Sequence, residues 1–136
     1  MTDKQKMKFN VLAIFCILIF SFALTPITFQ NDTYYTIKIG EHIVQTKQID
    51  MQDPFSWHED LPYTYNHWLY DVSTYLVYNL GENIGIGGFC SLYIATIILS
   101  MILGIVLYYV SCKLCKNQVV SFVISMITMF LLKNFI

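Results

Sequence analysis

The sequence contains no arginine and few charges of either sign. Only 12% of its 136 residues are charged, against about 25% in ordinary soluble domains. The formal net charge of −1 leaves no basic surface for nucleic acid, and without arginine there is no planar fork for bidentate phosphate recognition. Apolar residues make up 56% of the chain, which excludes intrinsic disorder. This composition indicates a membrane protein.

Cysteine is absent between residues 30 and 88, so no disulfide framework is expected there. Cys16 and Cys90 lie in apolar stretches, where a free thiol behaves as a small hydrophobic group. Cys112 and Cys115 form a single C-x-x-C pair. A zinc site needs two further ligands, and neither a second pair nor a suitable histidine is adjacent. We interpret this pair as reduced cysteines at a cytosolic helix end, and no metal site is certain.

Three apolar blocks divide the chain. The first, 9–29, has 21 uncharged residues, which as a helix span roughly 32 Å, about one hydrocarbon core. The second, 89–110, is long enough to cross as well. The third has only 14 uncharged residues, 119–132, where a span needs about 20, although Lys133 could snorkel to the far interface. We therefore predict an all-α membrane protein with transmembrane helices over 9–29, 89–111 and 118–136, the last a candidate for a truncated span.

Two alternatives concern the ends of the chain. The basic residues 1–8 and the run Ser21-Phe22-Ala23 loosely fit a cleaved signal peptide, but apolar residues continue to Phe29, which favours an uncleaved anchor. Because the chain stops at the end of an apolar block, we expect it to be a fragment of a larger helical bundle.

The lysines predict the orientation. Three of them lie in the leader 1–8 and two in the short loop 112–117, whereas residues 30–88 carry two lysines against eight carboxylates. Cytoplasmic segments of membrane proteins are enriched in lysine and arginine. We expect an integral plasma membrane protein with a cytoplasmic leader, a cytoplasmic loop at 112–117 and an external loop at 30–88.

The external loop is too aromatic to be a flexible linker. Seven of the ten tyrosines and both tryptophans lie between residues 34 and 78, and such amphipathic rings suit the membrane–water interface. Asn31 or Asp32 could cap a short helix running to Thr46, although Gly40 in its middle disfavours that helix. A second interfacial helix is predicted over 67–80 from four apolar residues at helical spacing, which are Leu69, Val72, Leu76 and Leu80.

Two carboxylates and three histidines are considered as residues that could carry chemistry. Asp32 is the first carboxylate beyond the first apolar block, where partial desolvation would suit a base or a ligand of a divalent cation; the alternative is a helix cap or a loop acid. Asp71 lies in a largely apolar helix, so its charge needs a partner or a wet cavity, or it snorkels. We interpret the scattered histidines as interfacial or structural, and these are His42, His58 and His67.

Three stretches together resemble the first external loop of a group of large bacterial polytopic membrane proteins. They are 32–43 (DTYYTIKIGEHI), 53–57 (DPFSW) and 66–71 (NHWLYD). These proteins are similar to the C-type (GT-C) glycosyltransferases, relatives of the dolichyl-phosphate-mannose protein mannosyltransferases. The resemblance covers roughly residues 9–110.

The resemblance implies many membrane helices and a lipid-phosphate-linked sugar as donor. It also implies an acid in this loop that acts as catalytic base or binds a metal. By position that acid is Asp32, although Thr33 stands where many members carry a second acid. The expected partners are the lipid bilayer and a polyprenyl-phosphate sugar, with a divalent cation as a candidate cofactor of the full-length parent. Substrate-binding candidates are Tyr34, Tyr35, His67, Trp68 and Asp71.

Two functional classes stay open on the sequence. One is the N-terminal portion of a lipid-linked-sugar glycosyltransferase, inactive as this fragment. The other is a small non-enzymatic membrane protein or assembly partner. A reading frame that continues with five or more apolar blocks would favour the first, and a stop codon at this point the second.

Overall fold

The computed structural model describes residues 2–52, 62–64 and 66–133. It divides into a terminal unit (Met1–Ile27 with Tyr93–Ile136) and a central unit (Thr28–Leu92). Two features of the sequence analysis lie outside the described residues. They are the stretch 53–57 (DPFSW), which belongs to the resemblance, and His58, which is interpreted as an interfacial or structural histidine. The elements in chain order are α1 (Asp3–Leu24), α2 (Asn31–Thr46), β1 (Asp50–Gln52), β2 (Pro62–Thr64), α3 (Trp68–Ile84), α4 (Gly88–Cys115) and α5 (Gln118–Leu132).

The helical fold class is confirmed, with one addition that the sequence does not predict. Strands β1 and β2 form a short antiparallel ladder, in which Asp50 pairs with Thr64 and Gln52 pairs with Pro62. The ladder closes the connection between α2 and α3.

Helix α1 begins earlier and ends earlier than the first apolar block. Thr2 and Gln5 form a capping box, in which the Thr2 N–H donates to Gln5 Oε1 at 2.8 Å and the Gln5 N–H donates to Thr2 Oγ1 at 3.4 Å. This reciprocal pair satisfies two amides of the first turn and extends the helix back to Asp3. At the other end Thr25 is extended, because the residue before a proline, here Pro26, disfavours helical backbone.

Two of the helices, α1 with 22 residues and α4 with 28, are long and apolar enough to cross a membrane. Helix α5 has 15 residues, fewer than the roughly 20 that a span needs. Asn117 caps α5 by accepting hydrogen bonds from the amides of Val119 and Val120. The terminal unit is therefore built from three apolar helices.

The core of the terminal unit combines apolar and small polar side chains. Ala13, Ile17, Tyr108 and Met129 are buried together. The Ser21 hydroxyl lies 3.4 Å from the Ser100 carbonyl oxygen. Close approach through small residues and hydrogen bonds between helices is typical of packing in lipid.

Two contacts on α4 fix its position against its neighbours in this unit. The Tyr108 hydroxyl donates to Asn10 Oδ1 of α1 at 2.8 Å. One turn earlier, a Cβ added to Gly104 would meet the Ile17 and Met129 side chains, so the glycine admits both of them at the centre of the core.

The central unit is organised by the packing of α2 on α3. Ile39 and Ile43 of α2 are buried against Val72 of α3. A Cβ on Gly40 would overlap the Asp71 carbonyl oxygen. Gly40 disfavours a helix when only the sequence is considered. In the structure it has a packing role, because a glycine here lets the backbones of α2 and α3 approach closely.

A short turn joins α3 to α4 within the central unit. Gly85 and Gly87 have φ values of 84° and 88°, a region that glycine adopts without strain. The Glu82 carboxylate accepts a hydrogen bond from the Gly88 N–H at 2.5 Å, and the Ser91 hydroxyl donates to the Val77 carbonyl at 2.7 Å. The last turns of α3 are thereby held against the first turn of α4.

Candidate functional site

A groove of about 290 Å³ lies between α2 and α3 in the central unit. Helix α2 contributes one face, at the i, i+3, i+4 and i+7 spacing that places side chains side by side. Helix α3 contributes three residues at the same kind of spacing, and the first turn of α4 contributes one aromatic ring. The lining residues are Tyr34, Ile37, Lys38 and Glu41 from α2, Tyr75, Tyr78 and Asn79 from α3, and Phe89 from α4.

Packed aromatic rings form one end of the groove. The centroid of the Phe89 ring lies 5.1 Å from that of Tyr34, 5.2 Å from that of Tyr78 and 5.6 Å from that of Phe29. The pairs are tilted or edge-on, the arrangements that aromatic quadrupoles favour. Gly88 lies directly against the Tyr78 ring, where any Cβ would overlap it. The aromatic end is therefore held by packing on several sides.

An ion pair borders the groove. Lys38 Nζ lies 2.8 Å from Glu41 Oε2, and the Lys38 side chain is 65% exposed. The hydrogen bond and the charge of Glu41 raise the pKa of the Lys38 ammonium group above its ordinary value. Exposed pairs at i, i+3 contribute little to stability. Either charge can therefore exchange its partner for a ligand group at low cost.

This combination suits a small ligand with one apolar face and several polar groups. The tyrosine and phenylalanine rings offer apolar surface, and the Asn79 amide supplies both donors and an acceptor. Lys38 supplies a compact positive charge and Glu41 a negative one. Ligand sites commonly combine a mainly apolar lining with a few polar groups in this way.

Asp32 lies outside the groove, on the first turn of α2, where it is exposed. It precedes Glu41 by nine residues, or about two and a half helical turns, so it lies on the opposite side of α2. A carboxylate at this position interacts favourably with the helix dipole. Gln30, rather than the predicted Asn31 or Asp32, is the N-cap residue.

Of the predicted substrate-binding residues, Tyr34 lines the groove. Tyr35, the next residue on α2, is exposed outside its lining. His67 is the exposed N-cap residue of α3, and Trp68 is the first residue of that helix. The structure thus brings one of the five predicted residues to the groove.

Asp71, the fifth, is buried where α3 meets α2, with 6% of its surface exposed. Burial raises the pKa of its carboxyl above the ordinary value of 3.8, and the charge of His67 partly offsets that shift. Asp71 packs beside Gly40, which is eight residues from Asp32, or about 12 Å along the helix axis. The two acids therefore do not form one site.

No cluster of three His, Cys, Asp or Glu side chains that could hold a metal ion occurs within 2–52, 62–64 and 66–133. Thr33 offers no second carboxylate beside Asp32. These residues do not fit the divalent cation expected from the resemblance, and no reaction step is assigned to one. All four cysteines are free thiols.

Comparison of the chain with protein-family models, with curated proteins and with solved structures found no match.

Sequence reasoning missed most of the groove. The sequence does contain a pattern that could have indicated the groove. The lining residues of α2 follow helical spacing, and so do those of α3. Pairing the two lines required the close contact at Gly40, which sequence alone does not reveal. The missed residues are Ile37, Lys38, Glu41, Tyr75, Tyr78, Asn79 and Phe89.

Proposed function

We propose that this chain contributes to an integral membrane glycosyltransferase-like protein that uses a lipid-phosphate-linked sugar as donor, and that it is inactive by itself. The observation that carries the proposal is the groove, in which aromatic rings, a lysine, a carboxylate and an amide surround about 290 Å³. The resemblance of residues 32–43 and 66–71 to the first external loop of GT-C proteins supports the same function.

The groove offers a partner for each part of such a donor. The C–H face of a sugar ring would pack on the Tyr34 and Tyr78 rings, which line the groove and present apolar surface. Its hydroxyls would hydrogen-bond with Glu41 and Asn79. The phosphate would take Lys38 from its weak ion pair, since lysine binds phosphate as a point charge.

The proposed membrane arrangement has three spanning segments, α1, α4 and α5, with the N-terminus in the cytoplasm of a bacterial cell. The central unit would lie outside, with α2 and α3 as interfacial helices on the membrane surface. The apolar lengths of α1 and α4 support two of the spans. The three lysines in the first two turns of α1 and the two lysines that follow Val110 in 112–117 support the orientation.

Asp32 keeps its proposed role as the acid of the external site, the base that accepts a proton from the acceptor hydroxyl. Asp32 precedes the lining residue Tyr34 by two positions on the first turn of α2. Proton transfer would therefore require the sugar to lie at the Tyr34 end of the groove, with the acceptor hydroxyl approaching there within hydrogen-bond reach of Asp32. A base of this kind contributes typically 10²–10⁴-fold to a rate. Donor binding and proton transfer are thus separate tests.

The first test is donor binding by the chain in lipid nanodiscs, titrated with a polyprenyl-phosphate sugar and, for comparison, with polyprenyl phosphate. We expect Tyr34→Ala to weaken sugar-donor binding about tenfold, because stacking surfaces of this size contribute about 1 kcal/mol or more. The matched control is Tyr35→Ala, an adjacent tyrosine outside the groove lining, which should leave affinity within twofold. Equal effects of the two changes would remove the groove from donor recognition.

The second test measures sugar transfer by the full-length protein. Asp32→Asn should remove most of the transfer activity while donor binding is retained. Unchanged transfer would remove Asp32 from the mechanism. If the wild-type chain binds no glycosyl lipid at all, the alternative class applies, a non-enzymatic membrane protein or assembly partner.

A further inference from the structure

Helix α3 buries two polar residues and a glycine on one side and exposes aliphatic residues on the other. Asp71, Thr74 and Gly81 are its buried residues. On the opposite side a stripe of four aliphatic residues at helical spacing is exposed, and we name this stripe the leucine face. It consists of Leu69 (63% exposed), Leu76 (51%), Leu80 (57%) and Ile84 (63%).

This arrangement is the reverse of a helix on a water-soluble domain, whose apolar stripe turns towards the core. The predicted apolar face of α3 is divided in the structure. Val72 packs on Ile39 and Ile43 of α2, whereas the three predicted leucines of that face are exposed. Ser73 also lies on this stripe, and its hydroxyl donates to the Leu69 carbonyl oxygen at 2.6 Å, so its hydrogen-bonding is satisfied within the helix. An exposed apolar stripe of this kind marks an interaction surface.

The position of α3 identifies what covers the stripe. Its C-terminal turns are held against the first turn of α4 by the Glu82–Gly88 and Ser91–Val77 hydrogen bonds. Helix α4 is long and apolar enough to cross a membrane. The C-terminal end of α3 is therefore fixed to the first turn of a helix that enters the bilayer in the proposed membrane arrangement.

The residues around the leucine face fit the membrane–water boundary. Trp68 and Tyr70, both exposed, lie at the N-terminal end of α3, and such rings are enriched at that depth. The two acids of α3 avoid the face, since Asp71 is buried and Glu82 is two residues, or about 200°, from Leu80. The helix contains no lysine, so its contact would be apolar rather than electrostatic.

We infer that the leucine face of α3 inserts into the boundary between headgroups and acyl chains of the bilayer, and that this insertion does not require anionic lipid. The inference rests on the proposed placement of the central unit at the membrane surface. Interfacial helices generally combine apolar burial with attraction to anionic headgroups. For the leucine face, apolar burial acts without attraction to anionic headgroups.

The test uses the full chain in phosphatidylcholine vesicles, with the four cysteines replaced by serine and single spin labels introduced. Labels at positions 76 and 80 report on the leucine face. A label at position 99 of α4, where Leu99 is exposed, is the reference for a spanning helix. A label at position 45, where Gln45 of α2 is exposed, is the aqueous reference. Accessibility to oxygen and to a water-soluble nickel chelate is measured at each.

We expect the labels at 76 and 80 to collide with oxygen more than with the nickel chelate, as at 99, and the label at 45 to show the opposite. Replacing half of the phosphatidylcholine by phosphatidylglycerol should change these accessibilities less than twofold. A second measurement keeps the native cysteines. With Trp57→Phe, Trp68 is the single tryptophan, and lipids brominated near the headgroup should quench it more than lipids brominated deep in the chain.

The outcomes separate the inference from the function on which it rests. Nickel access at 76 and 80 with oxygen access at 99 would overturn the inference and leave α4 as a span. Nickel access at 99 as well would overturn the membrane placement. Spin–spin broadening between copies at 76 and 80 would show that a second copy of the chain covers the face, and a requirement for anionic lipid would show electrostatic binding. Both results would overturn the inference.

Discussion

In the terminal unit, α1, α4 and α5 meet around serines and a glycine as well as apolar side chains, whereas in the central unit α2 and α3 meet through isoleucines and a valine. Lipid is as apolar as leucine, so helices inside a bilayer gain little by burying aliphatic surface and depend on close approach and hydrogen bonds. Helices exposed to water gain from each buried aliphatic group. The terminal core thus has contacts of the kind found between helices in lipid. The central core combines the aliphatic burial that water favours with one close backbone contact at Gly40.

The largest expected effect comes from the glycine in each core. Gly40→Ala would push a methyl group into the Asp71 backbone, whereas Gly104→Ala would meet side-chain atoms of Ile17 and Met129. Backbone cannot move aside as a methionine can, so Gly40→Ala should destabilise the central unit by about 1–3 kcal/mol. Gly104→Ala should cost less, because the Ile17 and Met129 side chains can rearrange. Alanine regains about 1 kcal/mol of helix propensity in both variants, so that contribution does not separate them.

Hydrogen–deuterium exchange in detergent micelles reads each unit separately and checks this difference. Val44→Ala, at an exposed position on α2, is the control for a change on that helix without overlap. A greater loss of protection in α4 from Gly104→Ala than in α2 from Gly40→Ala would contradict the explanation from backbone contact.

The next effect is a pH dependence confined to the central unit. Burial holds the pKa of Asp71 above 3.8 in the folded chain, so the unfolded chain releases this proton first as the pH rises. The Asp71 contribution to stability is thus full below pH 3.8 and declines as the pH rises to the folded-state pKa.

The variant Asp71→Asn should abolish this decline in stability. Exchange protection of α3 across that range measures it, with Asp32→Asn at an exposed site as control. A decline that persists in Asp71→Asn would assign it to another group.

The smallest expected effect is in the terminal unit. Tyr108→Phe removes the hydrogen bond from α4 to Asn10. Such bonds between membrane helices contribute about 0.6 kcal/mol on average. We expect a loss of that order in thermal unfolding, with no change from Tyr109→Phe, where the ring is exposed. A change of less than 0.2 kcal/mol (about a third of that average) would show that the Tyr108–Asn10 hydrogen bond does not help to hold α1 on α4.

Much of the fold follows from the sequence because its signals are local. The apolar runs predict α1 and α4, and the spacing of apolar residues predicts α3. Helix α2 reaches Thr46 as predicted, although Gly40 counts against a helix in the sequence. The reason for a glycine at this position is its contact with Asp71, more than thirty residues away, which the sequence does not reveal. The early start of α1 was missed, although the pair Thr2 and Gln5 is a recognisable capping signal.

The candidate site was less predictable because it is formed by two helices together. Tyr34 was identified for its ring, but its partner Tyr78 was not, since only the antiparallel packing of α2 on α3 brings both to Phe89. Asp32 was chosen for its position in the chain. Helical geometry places Asp32 on the opposite side of α2 from Glu41, and the packing of Ile39 and Ile43 on Val72 turns the Glu41 side towards the groove.

The hydrogen bond between Tyr108 and Asn10 has a consequence for biosynthesis. Its two residues are separated by 98 positions, so at a translation rate of roughly 5–20 residues per second α1 is made about 5–20 s before its partner on α4. During that interval the Asn10 amide must be satisfied by water or lipid headgroups near the membrane surface. In the proposed membrane arrangement Asn10 lies close to Lys8 at the cytoplasmic end of α1, and we therefore expect α1 to take its final rotation about its own axis only when α4 arrives.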